Sequence, residues 1–155
     1  MDWRGRLTES WEDRGLLPRI PPASDADVQA FERRYSICMP PQIRSYFQLW
    51  NGMNSQPGKD LDENGFRFMP LSEVRSVEEF VATMGWKIDR AALDPISAFV
   101  FIDYLQWCGA YAFESGSKSY GAIYLLGSPR PRIVAPSLER FIDLYLDDSM
   151  SIYQR

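Results

Sequence analysis

Asp60-Leu61-Asp62-Glu63-Asn64-Gly65 reproduces the first half of a calcium-binding loop, D-x-D-x-N-G, in which alternate side-chain oxygens wrap the ion around a glycine turn. The second half fails. Its ninth position is Phe68, and its twelfth is Leu71, where a bidentate glutamate is required. The stretch reads instead as a solvated loop with an Asn-Gly turn into the strand that follows. Asp103 and Glu114 each end a short apolar run, and two facing carboxylates at the right separation could hydrolyse a substrate. More often such residues accept backbone or hydroxyl hydrogen bonds in turns, here from Trp107 or Tyr104. The chain has no histidine, which removes the usual general base, the commonest metal ligand and every Ser-His-Asp or Cys-His arrangement. Cys38 and Cys108 are far apart and form no C-x-x-C pair, so they read as small buried apolar residues, with a disulfide between them left open. The glycines at 109, 116, 121 and 127 fit no phosphate-cradling pattern. No catalytic residue, metal or other cofactor is expected.

The elements that would carry these residues are legible from periodicity. Trp3, Leu7 and Trp11 recur every four residues and predict an N-terminal helix stopped by Gly15 and Pro18. Ser24-Asp25-Ala26-Asp27 resembles a capping box and opens a second helix with Val28, Phe31 and Tyr35 on its buried side. Met39-Pro40-Pro41 breaks that helix and starts a third, carrying Ile43, Phe47 and Trp50 and ended by Asn51-Gly52. A polar loop follows from Met53 to about Asn64, and Gly65-Phe66-Arg67-Phe68-Met69 alternates like a strand. Ser76-Val77-Glu78-Glu79 caps a short helix through Phe80, Val81 and Met84, and residues 85 to 97 are irregular, with Trp86 as an anchor.

Four apolar runs then follow at near-even spacing, beginning at Ala98, Gly109, Ala122 and Arg132, with Ser115-Gly116-Ser117 and Gly127-Ser128-Pro129 among the turns. The connections are too short for parallel crossovers, so the runs predict an antiparallel meander over about 98–135. Ser137 caps a closing helix in which Leu138, Phe141, Ile142 and Tyr145 form one apolar stripe.

The length of 155 residues fits one domain. No apolar run can span a membrane, and the N-terminus is studded with charge, so the expected address is the cytoplasm. A formal net charge of −4 argues against nucleic acid as a partner, and Arg130-Pro131-Arg132 is too small a basic footprint to change that. The acidic excess is concentrated in residues 51–100, with eight acids against five bases.

Several of these segments, in this order, resemble the SUKH superfamily of cell-wall-assembly-regulator-like proteins. They are Leu17-Pro18 through Pro22, Phe31-Glu32, Met39-Pro40-Pro41, Trp50-Asn51-Gly52, Phe68-Met69-Pro70-Leu71-Ser72-Glu73-Val74, Phe101-Ile102-Asp103-Tyr104-Leu105 with Tyr111-Ala112-Phe113, and Ile133 to Ile142. The last segment departs from the family pattern, with Leu138 replacing the usual aromatic and Arg140 an acid. The resemblance implies an α+β fold, with N-terminal helices and a C-terminal helix packed on a mostly antiparallel sheet. It divides the chain into an N-terminal helical extension (1–16), a family-like core (17–148) and a tail (149–155) of one domain. It also implies a protein-binding role, that of a bacterial immunity protein occluding a toxin, often a nuclease, or of a regulatory interaction module. A small hydrolase using Asp103 and Glu114 is the remaining alternative. For a toxin with a basic surface, the acidic middle supplies the candidate contacts Asp60, Asp62, Glu63, Glu73, Glu78 and Glu79, each expected to be exposed. No membrane or nucleic-acid partner is expected, and the oligomeric state stays open.

Overall fold

A computed structural model describes residues 1–55, 60–127 and 130–153. Among the described residues, five α-helices pack with an antiparallel sheet in an α+β arrangement. Three helices come first: α1 (Trp3–Asp13), α2 (Asp25–Tyr35) and α3 (Pro41–Leu49). Strands β1 (Phe66–Phe68) and β2 (Arg75–Ser76) follow, then α4 (Val77–Met84). The meander is β3 (Ala98–Tyr104), β4 (Gly109–Glu114), β5 (Ile123–Leu126) and β6 (Arg132–Ala135), and α5 (Leu138–Leu146) closes it. Every strand pairing is antiparallel, in the order β1-β3-β4-β5-β6, with β2 also laid along β3. No helix of the described residues is long and apolar enough to cross a membrane.

The caps read from sequence form. Ser24 accepts from the Asp27 N–H while Asp27 accepts from the Ser24 N–H, a reciprocal pair that satisfies two otherwise orphaned donors. Ser76 accepts from the Glu79 N–H and Ser137 from the Arg140 N–H, capping α4 and α5. The Asn51-Gly52 stop does more than end α3. Gly52 has φ +97°, and a Cβ there would stand 2.8 Å from the Pro70 backbone nitrogen. Asn51 Oδ1 accepts from the Leu71 N–H (2.7 Å) and its amide donates to Pro21 (3.1 Å). The motif therefore welds the helical layer to the segment that follows β1.

The sheet is covered on both faces. Helices α1, α2, α3 and α5 pack on the first face, against Phe66, Phe68, Phe99, Phe101, Tyr111 and Phe113. Helix α4, with Trp86 and Leu93 from the irregular segment, covers Ala98, Val100, Ala110, Ala112, Tyr124 and Leu126 on the second. A bulge in β3 between Val100 and Ile102 resets the alternation. It keeps Phe101 and Ile102 together in the first core and turns Asp103 to the second face, opposite Arg67 of β1. Arg67, which alternation alone would send to solvent, is consequently only 2 % exposed.

One expectation is corrected. Cys38 and Cys108 form no disulfide and are exposed rather than buried, because each sits in a surface connection, after α2 and at the β3–β4 turn. The C-terminal tail also contributes to the core. Ile152, in a 3-10 turn at Met150–Ile152, is fully buried, and its carbonyl accepts from the Tyr111 hydroxyl at 2.6 Å. Residues 56–59 of the polar loop, Ser128 and Pro129 of the turn after β5, and residues 154–155 lie outside the described residues.

Candidate partner-binding face

Asp62 is the first departure from an exposed acidic loop. Its side chain is wholly buried. Oδ1 accepts from the Asn64 and Phe66 N–H groups, both at 2.9 Å, forming the turn that leads into β1. Oδ2 accepts from the Tyr145 hydroxyl of α5 at 2.6 Å and faces Arg14 beyond the end of α1 at 3.5 Å. This carboxylate ties α1, α5 and β1 together, so its expected role as an exposed contact is corrected: its acceptor sites are already taken. Burial, followed by the Asp62 charge, pushes the Tyr145 phenol well above its ordinary range. Calorimetry with millimolar calcium should therefore show no saturable heat. A dissociation constant below about 10 μM, the range of sensor loops, would contradict this account of the 60–65 loop.

The remaining acidic candidates fall into two sets. Asp60 and Glu63 are exposed beside the end of α1, where Arg14 reaches Glu63 at 3.1 Å. Glu73, Glu78 and Glu79 lie elsewhere, and the structure pairs each with an arginine. Glu78 forms a two-bond contact with Arg90 (2.9 and 3.0 Å), which holds its carboxyl below the ordinary range. Glu79 faces Arg34 at 3.5 Å. Glu73 takes both terminal nitrogens of Arg67 at 2.9 and 2.8 Å and is only partly exposed. Glu78 and Glu79 keep much of their side chains exposed within these pairs, whereas Glu73, expected to be exposed, is held partly buried by Arg67.

Sequence reasoning missed a more acidic surface. Glu9, Glu12 and Asp13 are exposed on the outer side of α1, opposite the buried Trp3, Leu7 and Trp11. They adjoin the 60–63 loop through Arg14, and α5 packs alongside with Asp147 and Asp148 exposed. The nearby arginines are committed, Arg6 to Asp143 and Asp147 and Arg14 to Asp62 and Glu63. The signal was present in the i, i+3, i+4 spacing of those acids on the polar side of a tryptophan stripe.

Asp103 and Glu114 do not face each other. Asp103 is paired with Ala110 and Glu114 with Ala98, at opposite ends of the β3–β4 ladder, roughly 16 Å apart at ~3.3 Å per residue. Asp103 accepts from the Trp107 N–H at 2.7 Å, as the turn reading expected. Burial raises its carboxyl pKa, against the opposing pull of that N–H and of Arg67. Glu114 accepts from the Tyr124 hydroxyl at 3.1 Å and from Ser119. The geometry therefore does not bring Asp103 and Glu114 together as a hydrolytic pair.

The helix-break-helix opening, the Asn51-Gly52 weld and the meander closed by α5 are thus features of one packed arrangement. A search of curated proteins finds no match for this chain. The description of SMI1 / KNR4 proteins (SUKH-1) matches residues 22–144, spanning α2 to most of α5, and the chain belongs to that family.

Proposed function

We propose that this chain is a non-catalytic protein-binding module that neutralises a cognate toxin by occluding it. Membership of the SMI1 / KNR4 family supports a protein-interaction or immunity-type role. The observation that carries the reading further is the acidic face of α1 and the 60–63 loop, where Glu9, Glu12, Asp13, Asp60 and Glu63 are exposed. Such a face steers a basic partner, such as a nuclease whose own surface must attract a polyanion. Co-expression with neighbouring open reading frames, scored for rescue from toxicity, tests the function. A neighbour set containing no toxin that this chain relieves would favour the regulatory module instead.

The face makes a kinetic prediction. Glu9→Lys, Glu12→Lys and Asp13→Lys together should lower the association rate with a basic toxin about tenfold at low salt, because charge acts mainly on encounter. The effect should shrink as added salt shortens the screening length. Stability should move by only about 0.5 kcal/mol per site, since all three side chains are exposed. Surface-plasmon kinetics at two salt concentrations provide the check. A rate unchanged by the reversals would place steering elsewhere.

A further inference from the structure

A cavity of about 520 Å³ lies between the segment after β1, helix α4 and the β3–β4 turn. Its apolar wall is made by Phe80 and Trp107, whose rings are 5.1 Å apart, with Val100 beside them. An unusual backbone brings Trp107 there. Leu105, Gln106 and Trp107 have φ of 51°, 53° and 65°, an unfavourable run for residues other than glycine, and Asp103 accepts from the Trp107 N–H at 2.7 Å.

The rest of the lining is charged, and its charges are unevenly spent. Glu73 takes both terminal nitrogens of the buried Arg67, and Glu79 faces Arg34 at 3.5 Å. Arg75, also in the lining, is different. Among the described residues no carboxylate reaches its guanidinium, which donates to Thr83 at 3.4 Å and lies 5.7 Å from the centre of the Phe80 ring. The Trp107 indole N–H likewise has no acceptor among the described residues. With Arg67 behind Glu73, three guanidinium groups meet two carboxylates at this cavity, which leaves one positive charge in excess.

Unspent donors and a positive charge call for an occupant that brings acceptors and a negative charge. The planar fork of an arginine matches a carboxylate with two parallel hydrogen bonds. A single excess charge suits a monoanion, whereas a phosphate ester, with about two charges, would be repelled by Glu73 and Glu79. The aromatic wall adds a surface for an apolar body. The volume falls in the range of small-molecule sites, about 300–1,000 Å³.

We propose that this cavity binds a small organic carboxylate with a planar apolar body, its carboxylate on Arg75 and its body against Phe80 and Trp107. The site shares no residue with the acidic face of α1 and does not depend on which protein partner that face meets. Benzoate, titrated into the isotope-labelled full chain and followed by NMR, is the probe. A saturable shift of the Trp107 indole N–H is expected, with a dissociation constant on the order of 1 mM. Benzamide, the same ring without the charge, and inorganic phosphate, a charge without the ring, should each bind about tenfold more weakly. Arg75→Gln should abolish the shift. Arg34→Gln, at an exposed position, leaves Glu79 uncompensated and should also weaken benzoate binding. Absence of a saturable shift with benzoate, or equal affinity for benzamide, overturns the proposal. So does phosphate binding as tightly as benzoate, which would make this a site for an adventitious ion only. Unaltered benzoate affinity in Arg75→Gln overturns it too, and should that variant not fold, unaltered affinity in Arg34→Gln does the same.

Discussion

A chain ending at Ser137 will be unfolded or aggregated. The residues it loses include Leu138, Phe141, Ile142 and Tyr145, all buried on the first face of the sheet. Each contributes on the order of 1.5–3 kcal/mol through apolar burial. Their sum is comparable to the whole stability of a domain, about 5–15 kcal/mol. The loss also strips partners from what remains. Tyr145 packs edge-on against Phe66 and Phe68 at 5.1 and 5.0 Å, and Phe141 lies 5.1 Å from Tyr111. Asp62 Oδ2 would lose the tyrosine hydroxyl, and Tyr111 would lose the Ile152 carbonyl. Recovery of a soluble truncation with a cooperative melting transition would refute this account of the core.

Glu73→Gln should destabilise the fold by on the order of 3 kcal/mol, far more than an ordinary surface acid. The reason lies with its partner. Arg67 is buried beneath Glu73, and removing the carboxylate leaves that guanidinium without its principal counter-charge. Breaking a buried pair from one side costs more than removing both members. Arg67→Met combined with Glu73→Gln should therefore recover most of the loss, whereas Glu78→Gln, whose pair with Arg90 is exposed, should cost little. Urea midpoints at constant m-value measure all three. A Glu73→Gln variant within about 0.5 kcal/mol of the parent would show that Arg67 finds other solvation.

The same pair shows where sequence reasoning stops. From the sequence, Glu73 is one carboxylate among eight acids in residues 51–100, and Arg67 is the polar position of an alternating strand. Nothing local says that α4 and the irregular segment after it cover the second face of the sheet, which is what buries Arg67. Nor does local sequence reveal the β3 bulge, a one-residue slip that turns Asp103 toward Arg67.

The sequence by itself determined the elements and their order. Capping serines, the proline that starts α3, the Asn51-Gly52 stop, the meander and the stripe on α5 are set by contacts within a few residues, and local periodicity reports them directly. Only the tertiary structure decided which charges are spent. Asp62 faces Arg14 and bonds Tyr145, Glu73 meets Arg67 and Glu79 meets Arg34, through contacts separated by 48, 83, 6 and 45 positions. Even the shortest of these, Arg67 to Glu73, depends on burial between two packed layers. Charge count is a property of the chain, but exposure and pairing follow from packing, and packing left the acidic outer side of α1 available to a partner.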